Sequence, residues 1–247
     1  MTPSLILHTI LALLLLILPI EALYLLDRPT IRPFVIALLK GLGQLLAISL
    51  VIWGVYKTDN VWITIVWYLA MSILAGWVVI SRSKLSAKDY FLPASAGLFG
   101  GSLVIGLWLM VAVLPIGPIT ARWFVPIIAV LLGHSAAMLI RGLSTFVSLL
   151  HHNRAQYDFL LGNGASRWQA LMPFMRSSLL SVISPTIANL SALALPAIPL
   201  LLCGMLIGGF SPINAFALML FTLVGCIASS VLSLFIVIIL IKNIINK

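Results

Sequence analysis

Long apolar runs recur along almost the whole chain, and they leave very few folds open to it. A helix needs about 20 consecutive apolar residues to cross the hydrocarbon core of a bilayer, and it satisfies its own backbone there. Runs of that length cover residues 4–25, 35–55, 61–81, 91–115, 124–148, 179–207 and 213–241. The last two are long enough to tilt, or to break near Pro196 and Pro199. The chain is therefore expected to be an all-α polytopic membrane protein of about seven transmembrane helices.

The composition supports one transmembrane domain spanning residues 1–247. Hydrophobic residues make up 62% of the chain and charged residues 8%, whereas a soluble domain carries about 25% charged residues. The first run has neither a basic segment before it nor a small-residue cleavage site after it, so we interpret it as a span rather than a signal peptide. Cys203 and Cys226 lie in apolar runs and are expected to be small core residues rather than a disulfide.

The basic residues predict the orientation of the chain. If the C-terminus faces the cytoplasm, only Lys57 and Arg122 among the 14 Lys and Arg residues lie outside. Cytoplasmic loops are enriched in Lys and Arg, so we expect the N-terminus outside and the C-terminus inside. The same bias accounts for the net charge of +9. The partner that it implies is membrane lipid, and no nucleic acid is expected.

One long inner segment, at about residues 150–178, has a pattern of its own. A short helix from Arg154 would place Tyr157, Leu160 and Leu161 on one face. Asn163–Gly164 can end that helix, because glycine adopts the left-handed conformation easily. Ser166 to Gln169 then has the form of a capping box. We expect a helix, a tight turn and a second helix on the cytoplasmic face, either as a docking element for a soluble protein or as an amphipathic segment resting on headgroups.

The segment Asp158–Ala170, with its Gly164–Ala165 pair, resembles the coupling motif of ABC-transporter permeases. Other positions in the same order narrow the resemblance to the FetB/YbbM family, which is associated with iron export and has plant relatives associated with aluminium tolerance. These positions are Lys40, Gln44 and Leu45, then Val125–Pro126–Ile127, Gly133 and His134, and later Arg176, Pro185, Thr186, Pro199, Gly204, Gly209 and Pro212. The resemblance covers roughly residues 35–240.

This resemblance implies a permease subunit in a bacterial inner membrane that docks a separate ATPase through a coupling helix. The residues it implies for that contact are Arg154, Asp158, Gly164, Ala165, Ser166, Arg167 and Trp168. The chain has no G-x-x-x-x-G-K-[ST] sequence, so no cofactor is expected on it and ATP with Mg is expected on the partner. A second permease copy or a paralogue is expected to complete the pathway.

The substrate is the open question. The family carries charged residues in the sixth span where this chain has Ala188 and Ser191, and His134 replaces a family asparagine. Export of iron or another metal and movement of an amphipathic or lipid-like molecule both remain hypotheses, as does a scaffold role without transport. An intramembrane enzyme is disfavoured, because H-E-x-x-H and G-x-S-x-G sequences are absent.

A few polar residues inside spans are candidates for the substrate path. A charge within a span costs a few kcal/mol unless it finds a partner or reaches the surface. Lys40 could snorkel or contact an inner gate with Gln44 one turn later, and Glu21 could pair with Lys40 or Arg28. An imidazole can bind a metal, so His134 is the candidate metal ligand, with an interhelical hydrogen bond as the structural alternative. Further candidates, which could equally join helices, are Asn189 and Ser191.

Overall fold

The computed structural model describes residues 11, 14–58, 60–114, 120–191 and 197–242, with side chains throughout except at 189–191 and 197–201. All regular structure in these ranges is helical. The helices are α1 (Ile17–Leu26), α2 (Arg28–Thr58), α3 (Val61–Ser83), α4 (Ala87–Trp108, continued by a π-helical turn at Leu109–Val113), α5 (Ala121–His152), α6 (Arg154–Gly162), α7 (Arg167–Ser191), α8 (Ala197–Ile207) and α9 (Pro212–Ile241). They form two compact units, Met1–Lys57 and Thr58–Lys247.

The first unit holds α1 and α2, which meet at Asp27. The Asp27 amide donates to the Leu23 carbonyl at 2.8 Å, and the Thr30 amide donates to the Asp27 carbonyl at 3.2 Å, so the backbone of this residue ends one helix and begins the next. The guanidinium of Arg28 stacks over the Tyr24 ring, 4.2 Å from its centroid. None of the most apolar stretch of α2 is buried within the protein.

The core of the second unit is built on one face of α5. Leu131, Leu139, Leu143 and Phe146 are fully buried there, at the spacing of three and four residues that a helix needs to place them on one side. Side chains from α3, α4, α7 and α9 pack into the same cluster. In α7, the buried Ser178 donates to the Gly142 carbonyl of α5 at 2.6 Å.

Helices α4 and α9 approach so closely that small residues are required between them. A Cβ atom on Gly101 would lie 2.1 Å from Ser233 Oγ, and one on Gly97 would lie 2.3 Å from Val237 Cγ2. On Gly100 it would meet only the end of Ile236, at 3.2 Å. Close packing of α4 on α9 therefore depends on Gly97 and Gly101. Buried hydroxyl pairs join other helices, with Ser135 and Ser229 Oγ atoms 2.8 Å apart.

Five helices of the described chain are long and apolar enough to cross a membrane: α2, α3, α4 with its π-helical turn, α5 and α9. They match five of the predicted spans. Of the predicted span 4–25, residues 11 and 14–25 are described, and α1 covers Ile17–Leu26, which is shorter than a membrane span. The count of seven spans and the orientation stay predictions.

The predicted span 179–207 is covered by two described helices. Helix α7 runs from Arg167 to Ser191, and α8 runs from Ala197 to Ile207. The break expected near Pro196 lies at the edge of residues 192–196, which are outside the described ranges. The polar residues of α7, including Gln169 and Arg176, make it less apolar than a membrane span. Of the two cysteines, Cys226 is buried but Cys203 is exposed, so the core interpretation is wrong for Cys203.

Candidate functional site

The candidate site is the elbow, defined here as residues 154–170, where α6 turns into α7. Its first helix is amphipathic: Tyr157 is only 2% exposed, and Leu160 and Leu161 pack against the core of the second unit. The face predicted from the sequence is therefore confirmed. Because these side chains join the same hydrophobic cluster as α3, α5 and α9, α6 is fixed to the body of the protein.

The turn after α6 is a Schellman motif centred on Gly164. The Ala165 amide donates to the Leu160 carbonyl at 3.1 Å, and the Gly164 amide donates to the Leu161 carbonyl at 3.0 Å. These are the two hydrogen bonds that define the motif. Gly164 has φ +84, and a Cβ atom placed on it would meet nothing within 4 Å. Only the backbone conformation requires glycine there, so the space beside it is open to a partner.

The second arm begins with the predicted capping box. The Ser166 amide donates to Gln169 Oε1 at 2.8 Å, and the Gln169 amide donates to Ser166 Oγ at 3.3 Å. Trp168 packs against the core, which explains a tryptophan in this segment, and Ala170 is completely buried. Hydrogen bonds thus fix both ends of the turn, and apolar contacts fix both arms.

The outer surface of the elbow combines an ion pair with an exposed aromatic ring. Arg154 Nε lies 3.5 Å from Asp158 Oδ1, and the Arg154 guanidinium lies over the Tyr157 ring, 5.3 Å from its centroid. Arg167 is exposed as well. Phe159 is 68% exposed although it sits in the middle of α6. Sequence reasoning did not single out Phe159. Its exposure could have been predicted, because Phe159 lies on the side of the helix opposite Tyr157 and Leu161.

The candidates in the first unit show none of the predicted pairing. Lys40 and Gln44 share a face of α2 and both are exposed. Within the described residues, Glu21 forms no ion pair with Lys40 or Arg28, so that hypothesis is wrong for this structure. Arg28 instead contacts Tyr24, with its Nε donating to the Tyr24 carbonyl at 3.3 Å.

His134 lies in α5 with its Nε2 atom buried and without a hydrogen-bond partner in the described part of the chain. The interhelical hydrogen bond considered as the structural alternative is therefore wrong for that atom. Met138, one turn along, accepts a hydrogen bond from Thr186 Oγ1 of α7 at 3.9 Å. Asn189 and Ser191 follow on α7, but their side chains lie outside the described residues. Among the residues described, no three His, Cys, Asp or Glu side chains form a group that could hold a metal.

The chain matches the uncharacterised protein family UPF0014 over residues 6–245. It is 23% identical to the UPF0014 membrane protein YjkA of Bacillus subtilis over 202 residues, 82% of this chain and 80% of that protein. It is 27% identical to Protein ALUMINUM SENSITIVE 3 of Arabidopsis thaliana over 178 residues, 71% of this chain and 63% of that protein.

A third relative carries a functional name. The chain is 22% identical to the probable iron export permease protein FetB of Escherichia coli (strain K12) over 178 residues, 71% of this chain and 67% of that protein. The family resemblance drawn from the sequence is thereby confirmed. No solved structure matches the chain.

Proposed function

The chain belongs to the uncharacterised protein family UPF0014, and from that premise we propose that it is the membrane-spanning permease subunit of an ABC transporter. In this proposal a separate cytoplasmic ATPase binds ATP and Mg and also binds the elbow. The N-terminus lies outside the cytoplasm and the C-terminus inside, in a bacterial inner membrane. A second copy of the chain, or a paralogue, completes the translocation pathway.

The observation that carries the proposal is the elbow. A soluble ATPase moves a membrane domain best through a contact that resists deformation, and the contacts of residues 154–170 support that role. Tyr157 and Trp168 hold the two arms against the core, and hydrogen bonds hold the turn between them. The exposed residues Phe159, Gly164 and Arg167 are left to face the partner.

The proposed direction of transport is export, with iron or another metal as the substrate. Its support is the name of one relative, the probable iron export permease FetB. A second candidate is the same machinery moving an organic substrate. The specific observation that favours it is a basic, hydroxyl-rich face on α5, formed by Arg141, Ser144, Thr145 and Ser148.

The test is co-purification of the full chain with a co-expressed candidate ABC ATPase from the same cell, after extraction of both from the membrane. Phe159→Asp should insert normally, because the ring is largely exposed, and should lose most of the ATPase, because an apolar contact is replaced by a charge. Phe159→Leu is the matched control and should retain the partner.

Gly164→Arg tests the other side of the same contact. A Cβ atom at this position meets nothing within 4 Å, so the arginine would extend into the space open to the partner. With the strain of a non-glycine residue at φ +84 added, the ATPase should again be lost. Normal recovery of the ATPase with both Phe159→Asp and Gly164→Arg would exclude the elbow as its docking element.

A further inference from the structure

Four polar residues line one face of α5 near the elbow. Arg141, Ser144, Thr145 and Ser148 follow at the spacing i, i+3, i+4, i+7, which aligns side chains along one side of a helix. Arg141 and Ser148 are exposed and the two residues between them are half-buried. The opposite side of the same turns is buried in the core. This group of four is called here the hydroxyl face.

The donors of the hydroxyl face are uncommitted within the described residues. Several helical hydroxyls elsewhere in the chain donate to the carbonyl four residues earlier, as Ser177 does to Pro173 at 3.2 Å and Thr222 does to Leu218 at 2.7 Å. No such bond engages Ser144, Thr145 or Ser148 in the described structure, and Arg141 has no ion pair there. A guanidinium and three hydroxyls are therefore available as donors to a ligand.

Three residues of the hydroxyl face border a shallow, open depression. Ser144, Thr145, Ser148 and Leu149 line it, and its volume is about 350 Å³. Its size suits a small solute group, and three of its four lining residues carry hydroxyls, although most of its exposed surface is apolar. A helix face turned toward lipid tails would carry apolar side chains there.

The depth of the hydroxyl face follows from the length of α5. Arg122 and Arg141 bracket about 18 residues, or roughly 27 Å of helix, close to the thickness of about 30 Å of a hydrocarbon core. Arg141 then sits at the inner boundary of that core. Ser144, Thr145 and Ser148 lie beyond it, along the part of α5 that leads to the elbow.

We propose that the hydroxyl face is a binding site for an oxyanion-bearing solute, with carboxylate or phosphate groups, at the cytoplasmic mouth of the substrate path. The inference rests on the proposed permease function and names its substrate class. A guanidinium with adjacent hydroxyl donors matches an oxyanion in charge and in hydrogen-bonding capacity. The guanidinium would repel a bare metal cation, but it would attract a metal carried within an anionic chelate.

A lipid phosphate would offer the same chemistry as a solute phosphate. The position of the hydroxyl face relative to the lipid headgroups favours a solute. A headgroup phosphate reaches the level of Arg141, at the boundary of the hydrocarbon core. The three hydroxyls continue for up to two further turns toward the cytoplasm, roughly 10 Å along the axis. Solute and lipid are separated by the test below.

The experiment measures thermal stabilisation of the full chain in nanodiscs of neutral phosphatidylcholine. A ligand that binds the folded protein raises its Tm with concentration. Inorganic pyrophosphate and citrate should stabilise the protein, and ferrous chloride under anaerobic conditions should not. Two variants should weaken this effect: Arg141→Gln, and separately the pair Thr145→Val with Ser148→Ala. In each, the pyrophosphate concentration that gives the same rise in Tm should increase by about tenfold or more, since charge-assisted bonds are lost.

The matched controls are Arg176→Gln and Ser177→Ala on α7. Arg176 is an exposed guanidinium outside the hydroxyl face, and the Ser177 hydroxyl is already bonded within its own helix. Both should leave the response to pyrophosphate unchanged. An equal loss in these controls would mean a general charge effect and would overturn the proposal.

Three other outcomes would overturn the oxyanion proposal. Stabilisation only by nanodiscs containing phosphatidylglycerol, abolished by Arg141→Gln, would identify a lipid headgroup site. Stabilisation by ferrous ion alone, or by none of the probes, would remove the oxyanion assignment. Since the assay contains no ATPase, its outcome is independent of the co-purification that tests the permease function.

Discussion

At the scale of single residues, His134 is the position whose chemistry is least explained by packing. Its Nε2 atom is buried and lacks a hydrogen-bond partner in the described structure. An unsatisfied buried polar group costs about 1–3 kcal/mol, and leucine would fill similar space without that cost. Retaining a histidine there makes sense if the ring serves a ligand or a transient partner during transport.

We therefore predict opposite effects of His134→Leu on stability and on transport. Thermal unfolding in nanodiscs should occur at the same temperature as in the unsubstituted protein or higher, because the unpaired ring nitrogen is removed. Transport into vesicles that carry the complete complex should fall by at least about tenfold if a ligand interaction of about 1.4 kcal/mol is lost.

His134→Asn is the control that keeps a polar side chain and restores the residue expected in the family. It should retain more transport than His134→Leu. A lower unfolding temperature for His134→Leu with full transport would show that the histidine is purely structural.

At the scale of elements, the contact between α4 and α9 shows how helices associate when lipid surrounds them. Lipid tails are as apolar as leucine, so close packing and hydrogen bonds rather than water exclusion hold such helices together. Gly97 and Gly101 bring α4 within direct contact of the α9 backbone near Ser233. The interface therefore depends on the absence of side chains at two positions one turn apart.

We predict that Gly101→Ala destabilises the protein by about 1–3 kcal/mol, as overpacking does. Its new methyl group would lie 2.8 Å from the Ser233 amide nitrogen as well as 2.1 Å from the hydroxyl oxygen, and a backbone atom cannot move aside cheaply. Thermal or detergent-induced unfolding of the purified chain measures the change.

Gly100→Ala is the matched control in the same helix. Its methyl group would meet only the flexible end of Ile236, at 3.2 Å, so unfolding should be nearly unchanged. Equal destabilisation by both substitutions would point to helix geometry rather than to the α4–α9 contact.

At the scale of the whole molecule, the orientation in the membrane is the property on which the functional proposals depend. The elbow and the hydroxyl face lie at the same end of α5, and both proposals require that end to be on the cytoplasmic side of the membrane. Lys and Arg residues gather at the ends of the spans that we assign to that side.

We predict that a reporter fused after Lys247 reads as cytoplasmic and that one inserted at Asp59 reads as external. Alkaline phosphatase and a fluorescent protein provide complementary readouts, since each is active on only one side of the membrane. A cytoplasmic reading at Asp59 would invert the proposed arrangement and place the segment between α2 and α3 on the wrong side.

Sequence reasoning predicted the features that depend on the bilayer or on local hydrogen bonds. Five long spans follow from length and apolarity, and the turn at Gly164 and the capping box at Ser166 follow from bonds within a few residues. Features set by distant packing could not be predicted in this way. The exposure of Cys203 depends on which surfaces the other helices cover.

The hydroxyl face of α5 belongs to the second group. Ser144, Thr145 and Ser148 are common residues in membrane helices, where they mostly bond to their own backbone. Only the structure shows that these three do not, within the described residues, and that they share a concave surface with Leu149. Phe159 is intermediate, because its helical position indicated exposure although its residue type suggested burial.

The doubly bonded turn at Gly164 and the anchored arms on either side of it also have a mechanical meaning. A flexible joint would absorb a displacement of the elbow and dissipate it as local bending. Here the Schellman motif, the capping box and the contacts of Tyr157 and Trp168 hold the segment between Arg154 and Ala170 at several points. In the proposed permease, a force applied at Phe159 would therefore pass to α5 and α7 with little local bending, and the movement of an ATPase outside the membrane would reach the helices within it.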